Sequence, residues 1–218
     1  MKLNQLIVKA GVLSILSASQ LWAATISVNY TNDLNNSVTS TAGVVAAANW
    51  NNISSLSPTD PFIDDNAANT NLTVSLSGGN MDGWNTGGTQ EQRIYGDWIQ
   101  LGSGLRTLTL SNIPYSNYSL YLYHSHYASG EIVDYATGGV TKTLTSLSGS
   151  PTGQNPVHQL DKTYVVFEGL TTASLAVTID ATTGDAGLAG FQIVQVPEPT
   201  ILGLLAFAPV LAFRRRRA

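Results

Sequence analysis

The chain has 218 residues and only 11% of them are charged, against about 25% in an ordinary soluble domain. A coiled coil or a Glu/Lys-rich helical bundle is excluded, and the absence of cysteine excludes disulfides and thiolate metal sites. The formal net charge is −4, but residues 25–196 hold four basic side chains (Arg93, Arg106, Lys142 and Lys162) against thirteen acidic ones, a local balance of −9. Such a body repels phosphate polymers, so no nucleic-acid partner is expected.

Residues 1–23 read as a secretory signal peptide. Lys2 and Lys9 precede or flank a short apolar run at 10–18, and Ala23 and Ala24 offer the small residue that signal peptidase needs. The run is too short and wrongly flanked for a permanent anchor.

From residue 24 to 195 helical periodicity gives way to short β-branched and aromatic runs between Gly, Asn, Ser and Pro clusters. Strands are predicted at residues 25–30, 72–77, 98–101, 105–111, 118–124, 140–147, 163–167, 174–180 and 190–196. Residues 118–124 (YSLYLYH) are apolar on both faces, as a central strand should be. Residues 41–52 (TAGVVAAANWNN) are the one stretch predicted to form a helical turn or two, with Trp50 docking it. About nine short strands in one domain point to an all-β fold, an antiparallel sandwich of the jelly-roll kind.

Several positions along this body invite chemistry. Asp60, Asp64 and Asp65 concentrate oxygen donors in one loop, as do Asp180 and Asp185 in another, and either could hold a structural calcium; the alternative is an Asx-rich turn. Trp84, Tyr95, Tyr123 and Tyr127 flank polar loops and are candidates for sugar contact, because aromatic rings stack on the apolar faces of sugars. Trp50 and Trp98 read as core. His124 and His126 end the central strand with one residue between them; a shared metal would need a third ligand such as Glu131, Asp134 or His158. Glu91, Asp97, Glu131 and Asp134 supply carboxylates that a glycosidase could pair. No nucleophile elbow, zinc-protease helix or phosphate loop is present, and no catalytic residue is assigned.

The last segment, residues 196–218, has three parts in order. Val196, Pro197, Glu198 and Pro199 interrupt the strand pattern. Residues 200–213 are uncharged and apolar, and Arg214, Arg215, Arg216 and Arg217 follow at once. Fourteen residues would rise about 21 Å as a helix, short for a bilayer core of about 30 Å. The arginines would hold this end on the cytoplasmic side. A single transmembrane helix is therefore expected here, with the body outside the inner membrane.

This tripartite terminus resembles the PEP-CTERM protein-sorting signal. The resemblance implies a Gram-negative bacterium with an exopolysaccharide locus. It also implies recognition by an exosortase, an integral-membrane, cysteine transpeptidase-like enzyme, with processing near the Pro-Glu-Pro. The body resembles the extracellular jelly-roll domains common in such proteins, through AGVV…NWNN, LTLSNIPYSNYSLYLYH and the closing GLAGFQIV. Those domains look similar to galactose-binding-like sandwiches, and the resemblance implies no fixed catalytic residues. The expected function is a non-enzymatic surface or matrix protein with a structural or adhesive role in exopolysaccharide or biofilm. The alternatives are a carbohydrate-binding module or a small glycan-active hydrolase or lyase.

Overall fold

The computed structural model describes residues 23–83, 88–126, 128–147 and 157–198. Ala24–Val196 forms one compact unit. The signal peptide, Pro199, the apolar stretch and the four arginines lie outside the described residues, as do Trp84 and Tyr127. Among the described residues no helix is long and apolar enough to cross a membrane.

Twelve strands are present among the described residues. They are β1 (Thr25–Tyr30), β2 (Asn51–Ile53), β3 (Thr73–Leu76), β4 (Asn80–Gly83), β5 (Asp97–Gly102), β6 (Arg106–Ser111), β7 (Tyr118–His124), β8 (Ile132–Thr137), β9 (Val140–Thr145), β10 (Tyr164–Leu170), β11 (Ser174–Thr183) and β12 (Ala186–Gln195). They form two sheets. One runs β10-β7-β12-β1-β2, with β5 on β12 and β4 on β5; the other runs β3-β6-β11-β8-β9. The body is a β-sandwich with almost no helix, and every pair is antiparallel except β1 with β2, which is parallel.

All nine predicted strands coincide with observed ones, and β2, β4 and β8 are additional. β2 is an amide-rich segment tied by its side chains: Asn51 Nδ2 donates to Ser27 O at 2.9 Å and to Ile63 O at 2.8 Å. Residues 41–52 are not helical. Ala42 and Ala47 exchange backbone hydrogen bonds at 3.1 Å across a tight turn. Gly43 opens that turn at φ 102°, a conformation that no right-handed helix contains. Trp50 does dock, buried, with its indole N–H donated to Ala47 O at 3.0 Å.

Alternation along the strands builds two apolar layers. Ile26, Val28, Leu120, Leu122, Phe191 and Ile193 meet Leu108, Leu110, Val133, Tyr135, Val177 and Ile179 between the sheets. Each such aliphatic side chain stabilises the fold by about 1.5–3 kcal/mol through its burial. A second cluster holds Val38, Ala42, Trp50, Ile94, Tyr95, Trp98, Tyr123 and Ala189. β7 and β12 serve both clusters, since Leu122 and Phe191 belong to the first and Tyr123 and Ala189 to the second. This is why residues 118–124 read as apolar on both faces.

Candidate functional site

The titratable side chains collect in three places. The first joins Glu91, on the one-turn helix α1 (Gln90–Arg93), to the loop that leads into β10. A capping box of Thr89 and Gln92 starts α1 and fixes the direction of Glu91. Glu91 Oε2 meets His158 Nε2 at 2.5 Å and accepts from Gly43 N at 2.9 Å. His158 Nδ1 meets Tyr95 Oη at 2.7 Å, and Tyr95 Oη reaches Thr163 Oγ1 at 3.4 Å. Burial pushes the Glu91 carboxyl upward. The hydrogen bonds from His158 and Gly43 and the charge of His158 outweigh it and hold the group below the usual carboxylate range. Burial drives the Tyr95 hydroxyl well above its ordinary value. Carboxylate, imidazole and hydroxyl are thus linked in sequence, and Tyr95 is 0% exposed. The chain of contacts clamps three loops together.

The second place surrounds the end of β7. His124 faces the interior between the sheets, where its Nδ1 meets Tyr135 Oη of β8 at 3.1 Å. Burial, with a smaller contribution from His126, drives its pKa down to about 3, so the ring is neutral. His126 Nδ1 lies 2.6 Å from Glu131 Oε2, both side chains being nearly inaccessible. Glu131 Oε1 accepts from Asp185 N at 3.0 Å, and Asp134 accepts from Thr143 Oγ1 at 2.6 Å. The two rings are therefore held by different partners, and Asp134 and His158 are engaged elsewhere. Among the described residues no group of three or more His, Asp or Glu side chains is placed to hold a metal ion.

The third is Asp97, at the start of β5 and 1% exposed. Its Oδ2 accepts from Thr31 Oγ1 at 2.7 Å, Asn32 N at 3.1 Å and Asp33 N at 3.2 Å, and its Oδ1 accepts from Asn36 Nδ2 at 2.8 Å. Four donors wrap one carboxylate, so Asp97 fastens the loop after β1.

The aromatic candidates for sugar contact fall differently from expectation. Tyr95 and Tyr123 are both 0% exposed and pack edge to face at 5.8 Å in the second cluster. Residues 38–50 cover the sheet face that these rings would otherwise have presented, so they offer no stacking surface. Tyr123 Oη is tied to Gln192 and accepts from Val44 N at 2.9 Å. The acidic loop behaves as an Asx turn. Asp64 Oδ1 accepts from Asn66 N and Ala68 N, both at 2.9 Å, and Asp65 Oδ1 from Thr25 N at 3.0 Å, while Asp60 is exposed.

Two clefts flank residues 62–70, and neither contains a residue singled out for sugar contact. One, of about 560 Å³, is lined by Asp64, Asn69, Thr70, Asn71, Asn112, Ile113, Pro114 and Tyr115. The other, of about 440 Å³, runs along residues 51–62. Exposed asparagines beside a tyrosine in the turn between two strands were the available sign of the first.

Ala24 and Val196, where the body meets the predicted terminal signals, are both placed. Ala24 N donates to Gln195 Oε1 at 3.3 Å, and Val196 N to Asn117 O at 2.9 Å. Val196, Pro197 and Glu198 are exposed and belong to neither strand nor helix.

No family model and no curated protein matches the chain. Among solved structures it is similar to exo-β-1,3-galactanase from Phanerochaete chrysosporium. A variant bound to β-1,3-galactotriose matches at 16% identity and TM-score 0.32, covering 53% of this chain and 26% of the galactanase. A second variant with the same ligand matches at 18% identity and TM-score 0.33, over 58% and 30%. The galactose complex matches at 16% and TM-score 0.29 over the same shares. The chain thus spans less than a third of the length of these enzymes, and a likeness of this size assigns no activity.

Proposed function

We propose that this is an exported envelope or extracellular-matrix protein. Its jelly-roll body would be handed to an exosortase through the Val196-Pro197-Glu198-Pro199 motif and serve a structural or adhesive role in exopolysaccharide. The observation that carries the reading is the junction itself. β12 ends at Gln195; Val196, whose N–H still bonds Asn117 O, and then Pro197 and Glu198 follow it exposed and outside any strand, with the apolar run and arginines next in sequence. A protease or transpeptidase needs an extended, accessible segment, and proline keeps its preceding residue out of the helical region.

The body is read as non-catalytic because Glu91, Asp97, Glu131 and Asp134 are each held by separate hydrogen-bond partners. Deleting residues 197–218, or replacing Pro197, Glu198 and Pro199 by alanine, in a host with an exosortase should change the protein's destination. Release to periplasm or medium is the expected result; unchanged fractionation overturns the sorting claim. Reducing ends liberated from matrix polysaccharide by the purified protein would overturn the non-catalytic reading.

A further inference from the structure

The cleft of about 560 Å³ beside Tyr115 lies within the size range of about 300–1,000 Å³ common to small-ligand sites. Its wall is made by two segments, residues 64–71 and the turn 112–115 between β6 and β7. Asn69, Asn71 and Asn112 are exposed, and their side-chain amides make no hydrogen bond to the described protein. Asn112 is held at φ 57°, in the left-handed region, by the turn it occupies. Asp64 uses Oδ1 for its own turn, which leaves Oδ2 available. Tyr115 is 8% exposed, yet its hydroxyl has no hydrogen-bond partner among the described residues. A buried hydroxyl without a partner is costly, and native proteins rarely leave one so.

No Lys or Arg lines the cleft, and the body around it is strongly acidic, so an anionic ligand is disfavoured. Three amides, each both donor and acceptor, with a carboxylate and a phenol edge, match alternating hydroxyl donors and acceptors on a neutral ring. We infer that the cleft of Asp64, Asn69, Asn71, Asn112 and Tyr115 binds neutral, polyhydroxylated saccharide units of a polysaccharide. This deepens the adhesive reading by giving it a ligand class and a place, on side chains separate from the sorting motif.

The test is affinity electrophoresis of the full chain in detergent, through gels containing galactomannan, dextran or β-1,3-glucan, with alginate as the anionic comparison. The expected result is retardation by at least one neutral polymer and not by alginate, unaffected by EDTA. A variant combining Asn69→Ala, Asn71→Ala and Asn112→Gly should lose at least tenfold in binding while keeping its melting temperature; glycine preserves the left-handed turn. Should that variant fail to fold, ¹⁵N side-chain amide shifts of the three asparagines in the unsubstituted protein, titrated with the retarding polymer's oligosaccharide, decide instead. Normal mobility in all three neutral gels, retention by alginate alone, retention abolished by EDTA, equal retention of the variant, or unmoved amide shifts overturns the inference. Failed binding would leave the fractionation result untouched, and failed sorting would leave binding untouched, so the two claims fall separately.

Discussion

Glu91 Oε2 and His158 Nε2 stand 2.5 Å apart, and through the other nitrogen of that imidazole the contact reaches Tyr95, 0% exposed in the second core. One half-exposed carboxylate is thereby linked, through a single imidazole, to a buried ring. His158→Ala leaves the Tyr95 hydroxyl with only Thr163 Oγ1 at 3.4 Å. The expected loss is about 1–3 kcal/mol, the cost of a weakened buried hydrogen bond, measured by urea unfolding. Glu91 has its folded pKa lowered. Its contribution is present above the unfolded carboxylate value and disappears as pH falls through the lower folded one. The acid limb of the stability curve should therefore flatten in the His158→Ala protein.

His124 sets a second pH dependence of the same sign. Folded, it titrates at about 3; unfolded, at about 6.5. Between those values the unfolded chain binds the extra proton, so stability is complete above pH 6.5 and falls as pH drops toward 3. His124→Gln should flatten the slope of melting temperature against pH in that window, without changing the slope above pH 7. An identical slope in both proteins would assign the acid sensitivity elsewhere.

Asp97→Ala removes one acceptor from four donors, three of them directed at a single oxygen. Losing a buried carboxylate that accepts four hydrogen bonds, two of them fully buried, should cost about 1–3 kcal/mol. Asp97→Asn keeps one acceptor oxygen and should cost less. Calorimetry of both variants checks the order, and equal melting temperatures would show that Asp97 fastens nothing.

Gly187 sits where β12 passes the Ser125 carbonyl, and an added Cβ there would collide with that oxygen and with the Trp98 indole. The backbone around it already shifts register against β5. Gly187→Ala should destabilise by about 1–3 kcal/mol through overpacking. Gly138→Ala makes a useful comparison, since a Cβ there meets nothing within 4 Å and only its φ of 57° is strained.

The sandwich was legible because most strands carry period-two burial or an unbroken apolar run: Val177 and Ile179 on β11, Leu108 and Leu110 on β6. β8 escaped because its outward positions, Ile132 and Ala136, are apolar too and blur the alternation of Val133 and Tyr135. β4 (NMDG) has little intrinsic strand preference and forms by pairing with β5. The site was far less legible. Tyr95 and Tyr123 adjoin polar sequence and read as exposed, but the cover laid by residues 38–50 comes from a distant part of the chain. Glu91, His158 and Tyr95 each suggested a different chemistry, carboxylate pairing, metal ligation or sugar stacking, and only the fold shows them to be one contact chain. Tyr115 and its three asparagines carry no motif; their meaning lies in two loops, distant in sequence, that only the folded sandwich brings to one cleft.

β12 is the middle strand of its sheet, zipped along one edge to β7 and along the other to β1, from Thr25 opposite Val194 to Asn29 opposite Gly190. Tension arriving through Val196 would pull along that strand and shear two antiparallel ladders at once, instead of peeling a single edge. A body loaded in this direction resists unravelling by many hydrogen bonds acting together.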